Sequence, residues 1–130
     1  MIDHVSITVP DLGAAMRFYD AVMAALGVPA MGRSDRWAGY GLRTDAAHPG
    51  RCFLALYAGS APEAGSTRHW CFKAPDRAAV DAFWRAGLAA GGTDDGAPGL
   101  RPHYHPEYYA AFLRDPAGNR VEAVCNEAPR

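Results

Sequence analysis

Long hydrophobic runs, an excess of charge of one sign and paired cysteines are all missing from this sequence, and each absence removes a class of function. No apolar stretch approaches the roughly 18 residues of a membrane span, and the N-terminus enters a patterned strand at Ile2 with no signal-peptide core, so a cytoplasmic protein is expected. The 13 Lys and Arg are balanced by 14 Asp and Glu in mixed order, which leaves no basic stripe for nucleic acid or an anionic membrane surface. A small neutral or anionic molecule is the expected partner. Cys52, Cys71 and Cys125 are odd in number and lack CxxC spacing, so neither a disulfide framework nor a zinc knuckle is suggested. They read as small buried or strand residues.

What is present is present twice. Displaced by 65 residues, Arg68 to Gly92 overlies Asp3 to Gly27: His69 meets His4, Pro75-Asp76 meets Pro10-Asp11, Phe83-Trp84 meets Phe18-Tyr19, and Gly92 meets Gly27. Nine of the 24 positions from His4 to Gly27 are identical; four of these are alanine, so the weight rests on the His, Pro-Asp, Phe and Gly in one register. An internal duplication of this kind governs the choice of fold. The 130 residues are one domain's worth of chain, read as a first module over residues 1–60, a linker over 61–67 and a second module over 68–127.

Within each module the hydrophobic period changes from two to 3.6. Val5, Ile7 and Val9 alternate with His4, Ser6 and Thr8, which predicts a half-buried strand whose histidine points away from the core. Asp11 is placed to cap a helix with the stripe Leu12, Met16, Tyr19, Met23 and Leu26, and Gly27 to end it. Strands are predicted over 36–42 and 51–58, joined by the turn 45–50. The second half repeats the plan: strand 69–74, Asp76 as cap, a helix carrying Val80, Phe83, Trp84 and Leu88, a loop over 93–106, and strands 108–114 and 120–125 joined by the tight turn Asp115-Pro-Ala-Gly-Asn119. The class is α+β, βαβββ twice.

His4 and His69 occupy equivalent strand positions, each on the face opposite the hydrophobic one. Glu122 stands in the middle of an otherwise apolar last strand, where a buried carboxylate needs a partner. Two His and one Glu with open positions suit Fe(II), Mn(II), Zn(II) or a similar divalent ion.

The opening DHVSITVPDL through FYDAVMAALG, its echo at His69 and the ending FLRDPAGNRVE at Phe112 to Glu122 resemble the vicinal oxygen chelate superfamily of glyoxalase I, bleomycin- and fosfomycin-resistance proteins and extradiol dioxygenases. The resemblance covers nearly the whole chain. It implies paired βαβββ modules forming a cupped mixed sheet with the helices outside. It also implies one divalent metal ion (Fe, Mn, Zn or Ni) on His4, His69 and Glu122, with the ion acting as Lewis acid on a small substrate that presents chelating oxygens. Two departures narrow the choice. Glyoxalase I has a fourth carboxylate ligand where this chain has Ala55, and extradiol enzymes have a Tyr where it has Phe112. Tyr108 and Tyr109 lie four and three residues away, roughly 10 to 13 Å along a strand. Bleomycin-binding relatives usually lack the ligands altogether.

The segment from Pro98 to Tyr109 is the most distinctive stretch that the fold leaves unexplained. His105 or His103 is expected as a general acid/base or substrate contact, with Tyr109 also near the pocket; the alternative is a surface loop in ordinary hydrogen bonds. Ser6, Trp37, Tyr57 and Arg114 are the expected substrate contacts, although Arg114 can equally be solvated and the two aromatics can equally be core. Two functions stay open: a metalloenzyme with lyase-, isomerase- or dioxygenase-like chemistry, or a metal-free protein that sequesters a hydrophobic ligand in an aromatic cup. Either allows a homodimer.

Overall fold

In the computed structural model, which describes residues 1–129, the alternation at the N-terminus becomes β1 (His4–Val9), with Val5, Ile7 and Val9 turned inward and His4, Ser6 and Thr8 exposed. Asp11 accepts a hydrogen bond from the Ala14 N–H at 2.9 Å and caps α1 (Leu12–Ala25), and Gly27 follows with the left-handed φ of +73° of a helix stop. Then come β2 (Ala30–Arg33), β3 (Trp37–Gly41) and β4 (Phe53–Ala58). After residues 59–68 the plan recurs as β5 (His69–Lys73), α2 (Arg77–Ala89) capped by Asp76, β6 (Thr93–Leu100), β7 (Tyr109–Arg114) and β8 (Arg120–Cys125).

Each module forms a four-stranded mixed sheet, ordered β1-β4-β3-β2 and β5-β8-β7-β6, with the first strand parallel to the last and the other pairs antiparallel. Two of these strands escape the sequence reading. β2 is only four residues long, and β6, expected as a loop, is an edge strand of sequence TDDGAPGL whose register slips twice, at Asp94/Gly96 and Gly96/Gly99. An edge strand tolerates Pro98 and the glycines because only one side of it carries a ladder.

The two sheets are not hydrogen-bonded to each other within the chain; the modules meet through α1 and α2. This explains why α1 buries more than the expected stripe: Ala15, Phe18 and Val22 are buried beside Leu12, Tyr19, Met23 and Leu26, while Met16 is only half-buried. Gly87 allows the close approach, since a Cβ there would lie 2.3 Å from Leu113 Cδ1 and 3.1 Å from both Phe18 Cε2 and Val22 Cγ1. A second tie is polar. The Tyr19 hydroxyl donates to Asp115 Oδ2 at 2.7 Å, and Asp115 also accepts from the Ala117 and Asn119 N–H groups, so the first module's helix grips the tight turn of the second. Each helix covers one face of its own sheet and leaves the other face open.

Candidate functional site

Register fixes what lies on the open faces, because residues paired across neighbouring strands point the same way. In the first module the rows are His4, Phe53 and Gly41; Ser6, Ala55 and Gly39; and Thr8, Tyr57 and Trp37. In the second they are His69, Arg120 and Arg114; Cys71, Glu122 and Phe112; and Lys73, Val124 and Ala110. His4 and His69 therefore hold equivalent places, as do Ala55 and Glu122.

Glu122 is the chemically unusual member. Only 2 % of its surface is exposed, yet among the described residues no arginine or lysine is its partner. One carboxylate oxygen accepts a short hydrogen bond from the Tyr108 hydroxyl, and the other faces His69 Nε2 at 3.2 Å. Cys71, paired with Glu122 in register, has its thiol pushed up to about 12 by burial and then by the Glu122 charge. The Tyr108 phenol is raised too, by burial and by its bond to Glu122. Both side chains thus stay neutral donors around one carboxylate. A buried anion flanked by neutral donors and one exposed imidazole is a place where a cation would be favoured, and N and O donors of this kind suit a first-row divalent ion.

His4 is not brought to this pair. Its Nδ1 lies 2.7 Å from Asp3 Oδ1, which leaves Nε2 free on an exposed ring. Among the described residues, no group of three His, Cys, Asp or Glu is assembled that could hold a metal ion.

The other expected contacts divide. Tyr109 points to the opposite face, where its hydroxyl donates to Asp81 of α2 at 2.7 Å and Arg77 lies over its ring; it is not at the pocket. Tyr108 lies there instead, bonded to Glu122. It precedes β7, in a turn that folds back over the open face, so its hydroxyl reaches Glu122 despite the four-residue offset from Phe112. Strand alternation carried the signal: counting by twos from Phe112 puts Tyr108, not Tyr109, on the Glu122 face.

His105 engages both ring nitrogens, Nε2 with Asn126 Oδ1 at 2.8 Å and Nδ1 with the Glu107 N–H at 3.2 Å, and it meets Tyr108 edge to face. It touches Glu122 only through Tyr108. His103 stacks on Tyr104 at 4.2 Å between ring centroids, farther out in the same turn. Trp37 lies over Gly32 and Gly39 on the open face of the first module, with Tyr57 beside it, 43 % exposed. Arg43 covers Phe53 at 4.0 Å, which is why an open-face phenylalanine is buried.

Ser6 and Arg114 border a cleft of about 610 Å³ at the module junction, with Thr8, Glu63, Arg68 and Trp70 in its walls; neither His69 nor Glu122 lines it. Arg114 is paired there with Asp95 at 3.7 Å, beside the Arg120–Asp95 bridge at 2.8 Å.

A sequence profile described as Glyoxalase/Bleomycin resistance protein/Dioxygenase superfamily matches residues 1–123. No functionally curated protein matches the chain. Among solved structures, a glyoxalase/bleomycin resistance protein from Albidiferax ferrireducens T118 superposes with a TM-score of 0.76 at 30 % identity, covering 95 % of this chain and 97 % of that one. A glyoxalase/bleomycin resistance protein/dioxygenase family enzyme from Burkholderia phytofirmans PsJN gives 0.69 at 25 % identity over 94 % and 95 %. The fosfomycin resistance protein FosX from Mesorhizobium loti, at 19 % identity, a TM-score of 0.67 and coverage of 95 % and 90 %, shares the fold.

Proposed function

Because the chain belongs to the Glyoxalase/Bleomycin resistance protein/Dioxygenase superfamily, we propose that it is a divalent-metal-dependent enzyme acting on a small substrate with chelating oxygens, with its site completed between two copies of the chain. The observation that carries the reading is Glu122: a buried carboxylate with no Arg or Lys beside it among the described residues, its second oxygen 3.2 Å from His69 Nε2 on an open face. The third donor is His4 of a second copy. β1 and β5 each have one sheet partner, so each keeps an unpaired edge. Such edges favour strand addition, and joining β1 of one chain to β5 of another makes an eight-stranded cup with His4 and His69 on its inner face. A two-fold dimer forms two such cups at once.

An ion held by His4, His69 and Glu122 supplies Lewis-acid stabilisation of negative charge developing on substrate oxygen. Tyr108 and Cys71 hold the Glu122 carboxylate in place as neutral donors, and Phe112 walls the site beside His69, their ring centroids 6.4 Å apart. Zn, Mn or Ni suits lyase- or isomerase-like chemistry; Fe suits dioxygenase-like chemistry. Ala55 in the row equivalent to Glu122 leaves the first module without a carboxylate at that position. Three free cysteines suit a reducing compartment such as the cytoplasm.

The test is elemental analysis of protein purified without chelator, and again after anaerobic loading with Fe(II), Mn(II), Zn(II) and Ni(II). About one tight equivalent per chain, lost in both His69→Ala and Glu122→Ala, is expected from a three-donor site. No retained metal under any loading would overturn the reading in favour of ligand sequestration, for which Trp37, Tyr57 and Phe53 on the open face of the first module are the natural surface.

A further inference from the structure

Arg114, the cation expected to meet an anionic substrate, instead lies 3.7 Å from Asp95, a carboxylate it shares with Arg120. Another arginine stands where such a substrate would lie. Arg101, just after β6, folds its guanidinium back over Phe112 at 5.6 Å from the ring centroid, and His69 lies against the same ring. Gly96 makes the room: its φ of +152° suits glycine, and a Cβ there would come within 3.1 Å of Phe112 and 3.3 Å of Arg101 Nη2.

The charge of Arg101 is oriented, and no carboxylate among the described residues pairs with it. Its hydrogen bonds run from Nη1 to the Gly99 carbonyl at 2.9 Å and from Nη2 to the Ala97 carbonyl at 2.8 Å. Arg33, Arg51, Arg77, Arg114 and Arg120 each meet an Asp or Glu instead. Lys73 is exposed on the same open face, in the row of Val124 and Ala110. Two cations beside a site that would itself hold a divalent ion leave this half of the cup net positive even after Glu122 is counted. A guanidinium fixed by backbone carbonyls presents its remaining donors as a preset edge, the geometry that a carboxylate fits.

We propose that Arg101 is a specificity residue: it binds a carboxylate of the substrate other than the oxygens that chelate the ion, so the substrate is a small acid whose chelating oxygens and second carboxylate flank the Phe112 ring. This rests on the metal site proposed at His69 and Glu122. The full chain loaded with Ni(II) is titrated calorimetrically with lactate and with malate, two 2-hydroxy acids that differ by one carboxylate. Malate is expected to bind at least about tenfold tighter, and Arg101→Met to abolish that gap while the lactate affinity and Ni content stay unchanged. Arg101→Lys, which keeps the charge and loses the flat edge, is expected to lose several-fold of the preference, and it serves where Arg101→Met does not fold. Equal binding of the two acids by the wild-type chain, a malate preference that survives in Arg101→Met, or one that is undiminished in Arg101→Lys, overturns the inference and leaves the metal site standing. A chain that retains no Ni(II) overturns both.

Discussion

Mixing two inactive variants distinguishes a site shared between chains from one contained in a single chain. His4→Ala and His69→Ala each remove a donor from every site of their own homodimers, so each alone is expected to lose tight metal. In a mixed dimer one cup carries both lesions, while the other receives His4 from the His69→Ala chain and His69 with Glu122 from the His4→Ala chain. That cup is intact. Random reassociation of equal amounts makes about half of the dimers mixed, each with one good site of two, so retained metal should be about one quarter of the wild-type value. A mixed dimer isolated through two affinity tags should retain about one half. The side chains concerned are open to a partner: His4 is 58 % exposed and His69 43 %. The assay is co-refolding, anaerobic loading, desalting and elemental analysis, with each unmixed variant as its own blank. No recovery on mixing would refute assembly between chains. Full metal retention by His4→Ala alone would refute the role of His4.

Much of this was legible in the sequence because the duplication and the strand period are local signals. The histidines at a displacement of 65, the Pro-Asp caps and the glycine stops map onto β1, α1, β5 and α2 with little adjustment. β6 was not legible, since an edge strand built of Asp, Gly and Pro has neither alternation nor apolar content, and its pairing with β7 is held by backbone ladders that any residue can make. The extra burial of Phe18 and Val22 was hidden for a related reason: it depends on α2 arriving with Gly87 at the contact, a fact about two helices rather than one. The site shows the same division. Alternation places Glu122 and Tyr108 on one face, but the reach of Tyr108 depends on the turn folding back. Arg114 and Arg101 look alike in the chain, and only the fold sets one beside Asp95, nonlocal to it, and the other on two backbone carbonyls.

Two further perturbations separate structural from functional contributions. Tyr108→Phe removes one of the donors that fix Glu122 and keeps the ring, so metal affinity should fall roughly 10- to 100-fold while circular dichroism is unchanged; an unaltered affinity would show that the carboxylate is held without it. The last concerns alkaline pH and the polar tie between the modules. Burial, and then the Asp115 charge, raise the Tyr19 phenol well above its usual value of 10.0. In the unfolded chain that phenol ionises near 10, whereas in the fold it resists. The stabilising contribution is therefore whole below about pH 10 and is lost as pH climbs beyond it, by about 1.4 kcal/mol per pH unit for each such phenol. Tyr40, raised by burial and its bond to Asp20, acts in the same direction. Urea midpoints at pH 9, 10 and 11 should fall steeply for the wild-type chain and less steeply for Tyr19→Phe, which has no proton to lose there. Parallel declines for the two proteins would mean that the alkaline sensitivity comes from elsewhere, and that the grip of Tyr19 on Asp115 is not what the rising pH dissolves.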